Sequence, residues 1–325
     1  MPRIGPLLFV AFAVASTATA QGPGFDWRTV GAPGNRPTIP SEVPYNPTLQ
    51  VGRVDYEFQI TRTEVTVAQW FEFVTAYAPY YTGSPNDPAF TSMWISPSGP
   101  GTYQMAPGSE NLPADVSWRM AARFCNWHSN GRQNTQAAFE TGAYDASTFT
   151  TNPDLTYNDQ IAHSPGASHW ISTQDEWTKA MHYDPDRYGS GQGGYWINPA
   201  GGDEPLISGY PWEGGQTNGG IPSIGQITFL PVGSYPDVTS PWGLVDGSGG
   251  LREWTETDYS RQVRAWVGSM WFEDFYWWTD RLDQFGGARP WSGGFGFRVS
   301  TIPTPGGTTA CVVVGLGALA RRRRK

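Results

Sequence analysis

Two cysteines and four histidines are the side chains of this sequence best suited to redox, nucleophilic or metal chemistry, and their spacing restricts what they can do. Cys311 sits in an apolar run of the C-terminal tail, and if that tail is removed Cys125 is left alone, so pairing the two is not the first expectation. A lone cysteine on an apolar helix face is more often a small buried hydrophobe than a nucleophile. His128, His163, His169 and His182 follow no ligand-spacing motif. His163 and His169 flank a Pro-Gly loop and His128 ends a helical pattern, so we expect these histidines to be solvent-exposed or to cap helix ends. The other unusual composition is aromatic: Trp266, Trp271, Phe272, Phe275, Tyr276, Trp277 and Trp278 stand among Glu273, Asp274, Asp280 and Arg281. Core packing is the first expectation for so many rings. The second is a groove in which Trp271, Tyr276, Trp277 and Trp278 stack on a ligand, a peptide or a glycan, because alternation between faces keeps an extended stretch from burying them all.

These residues need elements to hold them. Val54 to Thr61 alternates, with Tyr56, Phe58 and Ile60 on one face, as a half-buried strand does. Val67, Trp70, Phe71 and Val74 recur at helical spacing and predict a first helix. Ser117 is a good N-cap for a second, whose inner face is Trp118, Ala121, Ala122 and Cys125. Thr173 and Glu176 form a capping box that opens a third, with Trp177, Ala180 and Met181 buried. Beyond Pro185 the chain is rich in Gly, Pro, Trp and Ser and predicts short strands and long ordered loops. The pattern fits a compact α+β domain with few short helices, short mostly antiparallel strands and no βαβ unit.

Sixteen Trp, 15 Tyr and 16 Phe among 325 residues provide for a large core despite 40 Gly and 28 Pro. The net charge of −8 argues against a nucleic-acid partner, all the more because five of the 21 basic residues form the terminal run Arg321 to Lys325. Residues 1–20 read as a secretory signal peptide: Arg3, an apolar stretch, then Ala18-Thr19-Ala20 as the cleavage site. Residues 21–300 are then the folded domain, exported to the cell envelope or beyond, and 301–325 a tail. In that tail the apolar run Thr308 to Ala320 is well short of the roughly 20 residues a spanning helix needs, and the arginines after it would hold its end on the cytoplasmic side. The layout resembles PEP-CTERM sorting signals, which implies removal by a membrane-bound exosortase-type enzyme after transient membrane contact. Thr304 stands where that motif has Glu, and a plain weak membrane tail is the alternative.

Eight segments, in order, resemble the formylglycine-generating enzyme family, also called the sulfatase-modifying factor domain. They include Tyr56 to Ile60 with Thr63-Glu64-Val65-Thr66, Val116-Ser117-Trp118 with Ala121 to Trp127, and Trp170 to Thr173 with Glu176-Trp177. Further on come Val232 to Tyr235, Gly243 to Asp246, Glu253-Trp254-Thr255, Gly268-Ser269 and Gly296 to Val299. The resemblance implies a variant of the C-type-lectin fold. It also implies, in active members, oxidation of a substrate cysteine by oxygen at a copper ion held by two cysteines, three and eight residues beyond the serine of the Gly-Ser motif. Counted from Ser269, those positions are Phe272 and Trp277. Neither supplies the thiolate that monovalent copper prefers, so copper is not expected here.

The resemblance further implies a calcium site in the loop ending at Glu253, with side chains of Asp246 and Glu253 and backbone carbonyls of Gly249 and Leu251. Such oxygens suit calcium. Gly250 and Arg252 replace the family's usual Asn and Trp, and a Gly-rich turn with Glu253 paired to an arginine is the alternative. The family's other calcium site has only Asn218 to match it and is not carried over. The resulting expectation is a non-catalytic binding module. An enzyme whose chemistry has moved to other residues, or a passive surface component, remains as an alternative.

Overall fold

The structure is a computed structural model that describes residues 24–221 and 229–303. Residues 1–20, read from the sequence as a signal peptide, residues 304–325 of the expected tail, and Cys311 lie outside the described residues. Two four-stranded sheets frame the fold. The first orders Trp27–Val30, Phe58–Thr61, Val299–Thr301 and Trp170–Ile171, antiparallel throughout, so the two ends of the domain pair with the same strand. The second orders Gly286–Ala288, Arg264–Val267, Glu253–Asp258 and Gly296–Phe297. Its last pair is parallel, Gly296 facing Glu253, while its other pairs are antiparallel, in keeping with the mostly antiparallel strands expected. That pairing carries Arg298, one residue beyond the strand, to Glu253.

Three helices pack against these sheets. Val67–Tyr77 begins at Thr66, which makes a capping box with Gln69. Trp118–Ser129 is capped by Ser117 through the Met120 amide. Gln174–His182 has the Thr173–Glu176 capping box read from the sequence. The first helix buries Val67, Trp70, Phe73, Val74 and Tyr77, and Phe71 is only partly covered. The inward stripe is therefore rotated one step from the one expected. The strand predicted from Val54 starts only at Phe58, since the Val54 carbonyl accepts from the Gly34 amide and from Lys179 Nζ. One-turn helices at Pro88–Thr91, Gln136–Glu140 and Tyr276–Thr279 are too short to show a periodicity.

The main core joins the first two helices to both sheets through Trp70, Phe73, Trp118, Phe124, Trp170, Trp254 and Phe297. Burying an indole leaves its N–H in need of an acceptor. Trp70, Trp118 and Trp254 donate to the carbonyls of Phe90, Thr255 and Val116, which pins each ring to a neighbouring segment.

Candidate functional site

The loop from Asp246 to Glu253 converges on a buried arginine. Glu253 opens its strand with the carboxylate turned inward, where it accepts from Arg298 Nε at 3.1 and 3.0 Å and from Trp177 Nε1 at 3.0 Å. Arg298 is fully buried, and its other nitrogens donate to the carbonyls of Thr61, Arg62, Val245 and Asp246. Every arm of the guanidinium thus has an acceptor, which a buried cation requires. This is the arginine pairing that the sequence left open for Glu253.

Asp246 has a left-handed backbone (φ 59°) and accepts from the Gly233 amide at 2.6 Å. Gly249 is also left-handed (φ 75°), and a Cβ there would stand 2.0 Å from Asn218 Oδ1. Leu251 turns its side chain into the interior and donates its amide to Glu64 Oε1 at 3.2 Å. Glu64 had no role assigned from the sequence, where only its place in a matched segment marked it. It is fully buried, and its second oxygen, Oε2, has no protein partner. Burial pushes the Glu64 carboxyl well up, helped by the nearby Glu253. Asp246 and Glu253 are raised by burial too, with Arg298 pulling against it at Glu253. Of the four residues expected to hold calcium, Asp246 lines a small cavity here, together with Glu64, Asn218, Ser248 and Gly250. Among the described residues no group of three or more His, Cys, Asp or Glu side chains is arranged around a metal position.

The aromatic run lies largely outside the core, contrary to the first expectation. Phe272, Phe275 and Trp277 are 50%, 65% and 44% exposed. The chain from Met270 to Asp280 folds as tight turns and one helical turn, so its rings fan outward instead of alternating. Trp271 is partly covered and packs between Phe272 and Phe229 at 4.9 and 4.8 Å. Trp278 meets Tyr45 edge-on at 4.6 Å, and Arg281 lies over the same Tyr45 ring. Tyr276 serves differently: its ring lies on Gly219 and Gly220, and its hydroxyl donates to the Leu206 carbonyl, which anchors the loop carrying Trp212. Trp212 is 72% exposed and stacks on Tyr210 at 4.6 Å, a surface ring that sequence reasoning did not single out.

Cys125 is fully buried, and burial together with the Glu256 charge pushes its thiol well up, which disfavours the thiolate that a nucleophile or metal ligand needs. The histidines are more enclosed than expected. His182 is fully buried with Nδ1 on the Trp196 carbonyl, and His128 lies among Phe25, Phe124 and Trp127. His163 stacks on Trp170 at 4.4 Å and bonds both Glu256 oxygens at 3.0 Å. Burial pulls its imidazole down, but the Glu256 carboxylate outweighs that and leaves it raised. Glu256 also lines an open cleft of about 590 Å³ with Tyr56, Asp175, Thr257 and Asp258.

Residues 29–301 match the model of the sulfatase-modifying factor enzyme 1-like domain. The chain belongs to that family. As a sulfatase-modifying factor domain it departs from the copper pattern, because Cys125 is the one cysteine among its described residues. Two solved structures show the same fold. A protein named CarF is 23% identical with a TM-score of 0.50, the match covering 86% of this chain and 99% of CarF. Treponema denticola variable protein 1 is 16% identical, also with a TM-score of 0.50, over 90% of this chain and all of that one. No curated protein matches the chain. Among the described residues no helix is long and apolar enough to cross a membrane.

Proposed function

We propose that this sulfatase-modifying factor domain is an exported, non-catalytic binding module of the cell envelope, which docks a peptide or glycan on the aromatic surface between Trp271 and Trp278. The observation that carries this reading is the pair Phe272 and Trp277. They occupy the positions where the resemblance places the copper-binding cysteines, and both present half-exposed rings to solvent. A thiolate pair has been exchanged for stacking surface at the same place on the fold. Flanking acids and Arg281 supply the polar contacts that orient a ligand over such rings. Trp271, Trp277 and Trp278 are the contact residues, and Tyr276 fixes the loop beside them.

The test has two parts. Incubated with copper, oxygen and a cysteine peptide, the full-length protein is expected to form no aldehyde above the protein-free control. Screened against glycan and peptide arrays, it is expected to retain ligands that Trp277→Ala and Phe272→Ala weaken at least tenfold with unchanged thermal stability. Formylglycine production would overturn the reading, as would array ligands indifferent to both substitutions.

One observation favours a second reading, an enzyme using other residues. Glu256, which His163 bonds from behind the wall, lines the 590 Å³ cleft, a geometry open to acid–base work. An activity abolished by His163→Gln and untouched by Trp277→Ala would select it.

A further inference from the structure

The exposed rings of the aromatic loop form a connected series. Phe275 meets Trp277 at 6.5 Å with 66° between their planes, Trp277 meets Trp278 at 6.3 Å and 79°, and Trp278 meets Tyr45 at 4.6 Å and 62°. Each ring is thus turned steeply from the one before, as the walls of a corner are. Phe275, Trp277 and Tyr45 are exposed, and Trp278 is half-buried behind them. The corner is fixed at both ends: the helical turn Tyr276–Thr279 carries the two tryptophans, and the Tyr45 amide donates to Asp283 Oδ2 at 3.0 Å.

The face of an aromatic ring is the negative side of its quadrupole, so rings set at an angle offer an attractive position to a cation. One wall of this corner already takes one, since the Arg281 guanidinium lies 4.2 Å from the Tyr45 ring centroid. The charges nearby do not all cancel. Arg281 is paired with Asp283 and Arg252 with Glu273. Asp274, which immediately precedes Phe275, is exposed and among the described residues makes no ion pair and no side-chain hydrogen bond. The unpaired charge beside the rings is therefore negative, on a chain whose net charge of −8 favours the approach of cations. A neutral sugar could stack on these rings but would leave that charge unused. An alkylammonium group uses the ring faces and the carboxylate together.

We infer that this corner takes the ammonium group of a lysine side chain, so that the occupant of the aromatic surface is a lysine-bearing peptide and not a glycan. The inference rests on the reading of this surface as a binding site and names its ligand class. The ammonium lies against Phe275 and Trp277 with Asp274 as its counter-charge, while Trp278 and the Arg281-backed Tyr45 form the wall behind.

The test titrates the full-length protein by calorimetry, at physiological ionic strength, with an oligolysine peptide, with the same peptide acetylated at every side-chain nitrogen, and with a neutral gluco-oligosaccharide. Oligolysine is expected to bind. Acetylation, which removes the cation, should weaken it about tenfold or more. Trp277→Ala and Phe275→Ala should each weaken oligolysine about three- to fivefold, as the loss of a partly exposed cation–π contact does. Asp274→Asn should weaken it to a similar degree, and thermal unfolding should be unchanged in all three variants because the side chains are exposed. Oligolysine that does not bind, or that binds equally to wild type and Trp277→Ala, would overturn the inference, the second result showing only diffuse attraction to an acidic chain. Acetylated peptide or oligosaccharide held as well as oligolysine, and lost in Trp277→Ala, would overturn the lysine assignment yet leave the surface a binding site. Absence of any ligand that depends on Trp277, in these titrations and on the arrays, would overturn both.

Discussion

At the scale of single residues, Arg298 decides more than any other side chain. It follows the parallel pair, neutralises Glu253 and ties four backbone carbonyls from two separate segments. Removing one partner of a buried ion pair leaves an uncompensated charge and typically costs about 3–5 kcal/mol. Arg298→Met should therefore destabilise the fold by about that amount in urea denaturation. Adding Glu253→Gln to Arg298→Met should recover part of the loss, because the orphaned carboxylate is then gone. A double variant no better than the single one would show that the four carbonyls, and not Glu253, are what Arg298 mainly satisfies. The sequence displayed Glu253 and Arg298 as members of matched segments 45 positions apart. It could offer an arginine partner as an alternative but not choose which arginine, since a parallel register of two residues leaves no local pattern.

At the scale of elements, what was legible depended on length. The three long helices carry a cap and at least two turns of periodic apolar residues, and each was readable with its N-terminus. The rotated stripe of the first helix shows the limit: Phe71 and Phe73 are both apolar, and the choice between them was made by Tyr77, Phe124, Trp127 and Phe139, which pack on Phe73 and lie outside the window. Thr173 is the clearest cap, since its hydroxyl accepts from the Glu176 amide while Glu176 reaches back to the Thr173 amide. Thr173→Ala should cost about 1 kcal/mol, measured as a lowered urea midpoint with an unchanged slope. A loss several times larger would mean that the cap also holds the buried Glu176 in reach of Tyr56 and Trp170, which donate to it. The aromatic run was misread for the opposite reason. Its rings suggested core packing first and a ligand-facing groove second, yet turns at Met270 to Phe275 break any period, and only the assembled loops reveal that Phe272, Phe275 and Trp277 face water.

At the scale of the whole molecule, opposing titrations meet in one pH window. His128, His169 and His182 are each pushed down by burial, to about 3, 4 and 4. For such a histidine the unfolded chain takes a proton near pH 6.5 and the folded one does not, so its stabilising share is present above 6.5 and lost as pH falls toward 4. Asp280 acts in the reverse sense. Burial raises it to about 7 from 3.8, so the folded state keeps a proton that the unfolded state has released, and stability is gained as pH falls through 7 toward 4. At about 1.4 kcal/mol per pKa unit, His182 and Asp280 each contribute on the order of 3–5 kcal/mol, with opposite signs. The two oppose one another between pH 4 and 6.5, but His128 and His169 act in the same sense as His182, so the wild type should still lose stability as pH falls through that window. Single substitutions separate them. Asp280→Asn should raise stability at pH 7.5 and steepen the loss on acidification, because the histidine contributions then act unopposed. His182→Gln, which retains a donor toward the Trp196 carbonyl, should make the protein gain stability relative to wild type as pH falls from 6.5 to 4. Urea midpoints at half-unit pH intervals for the three proteins distinguish the two slopes. Parallel profiles would mean that neither group changes its protonation between the folded and unfolded states, and that the acid response belongs to other residues.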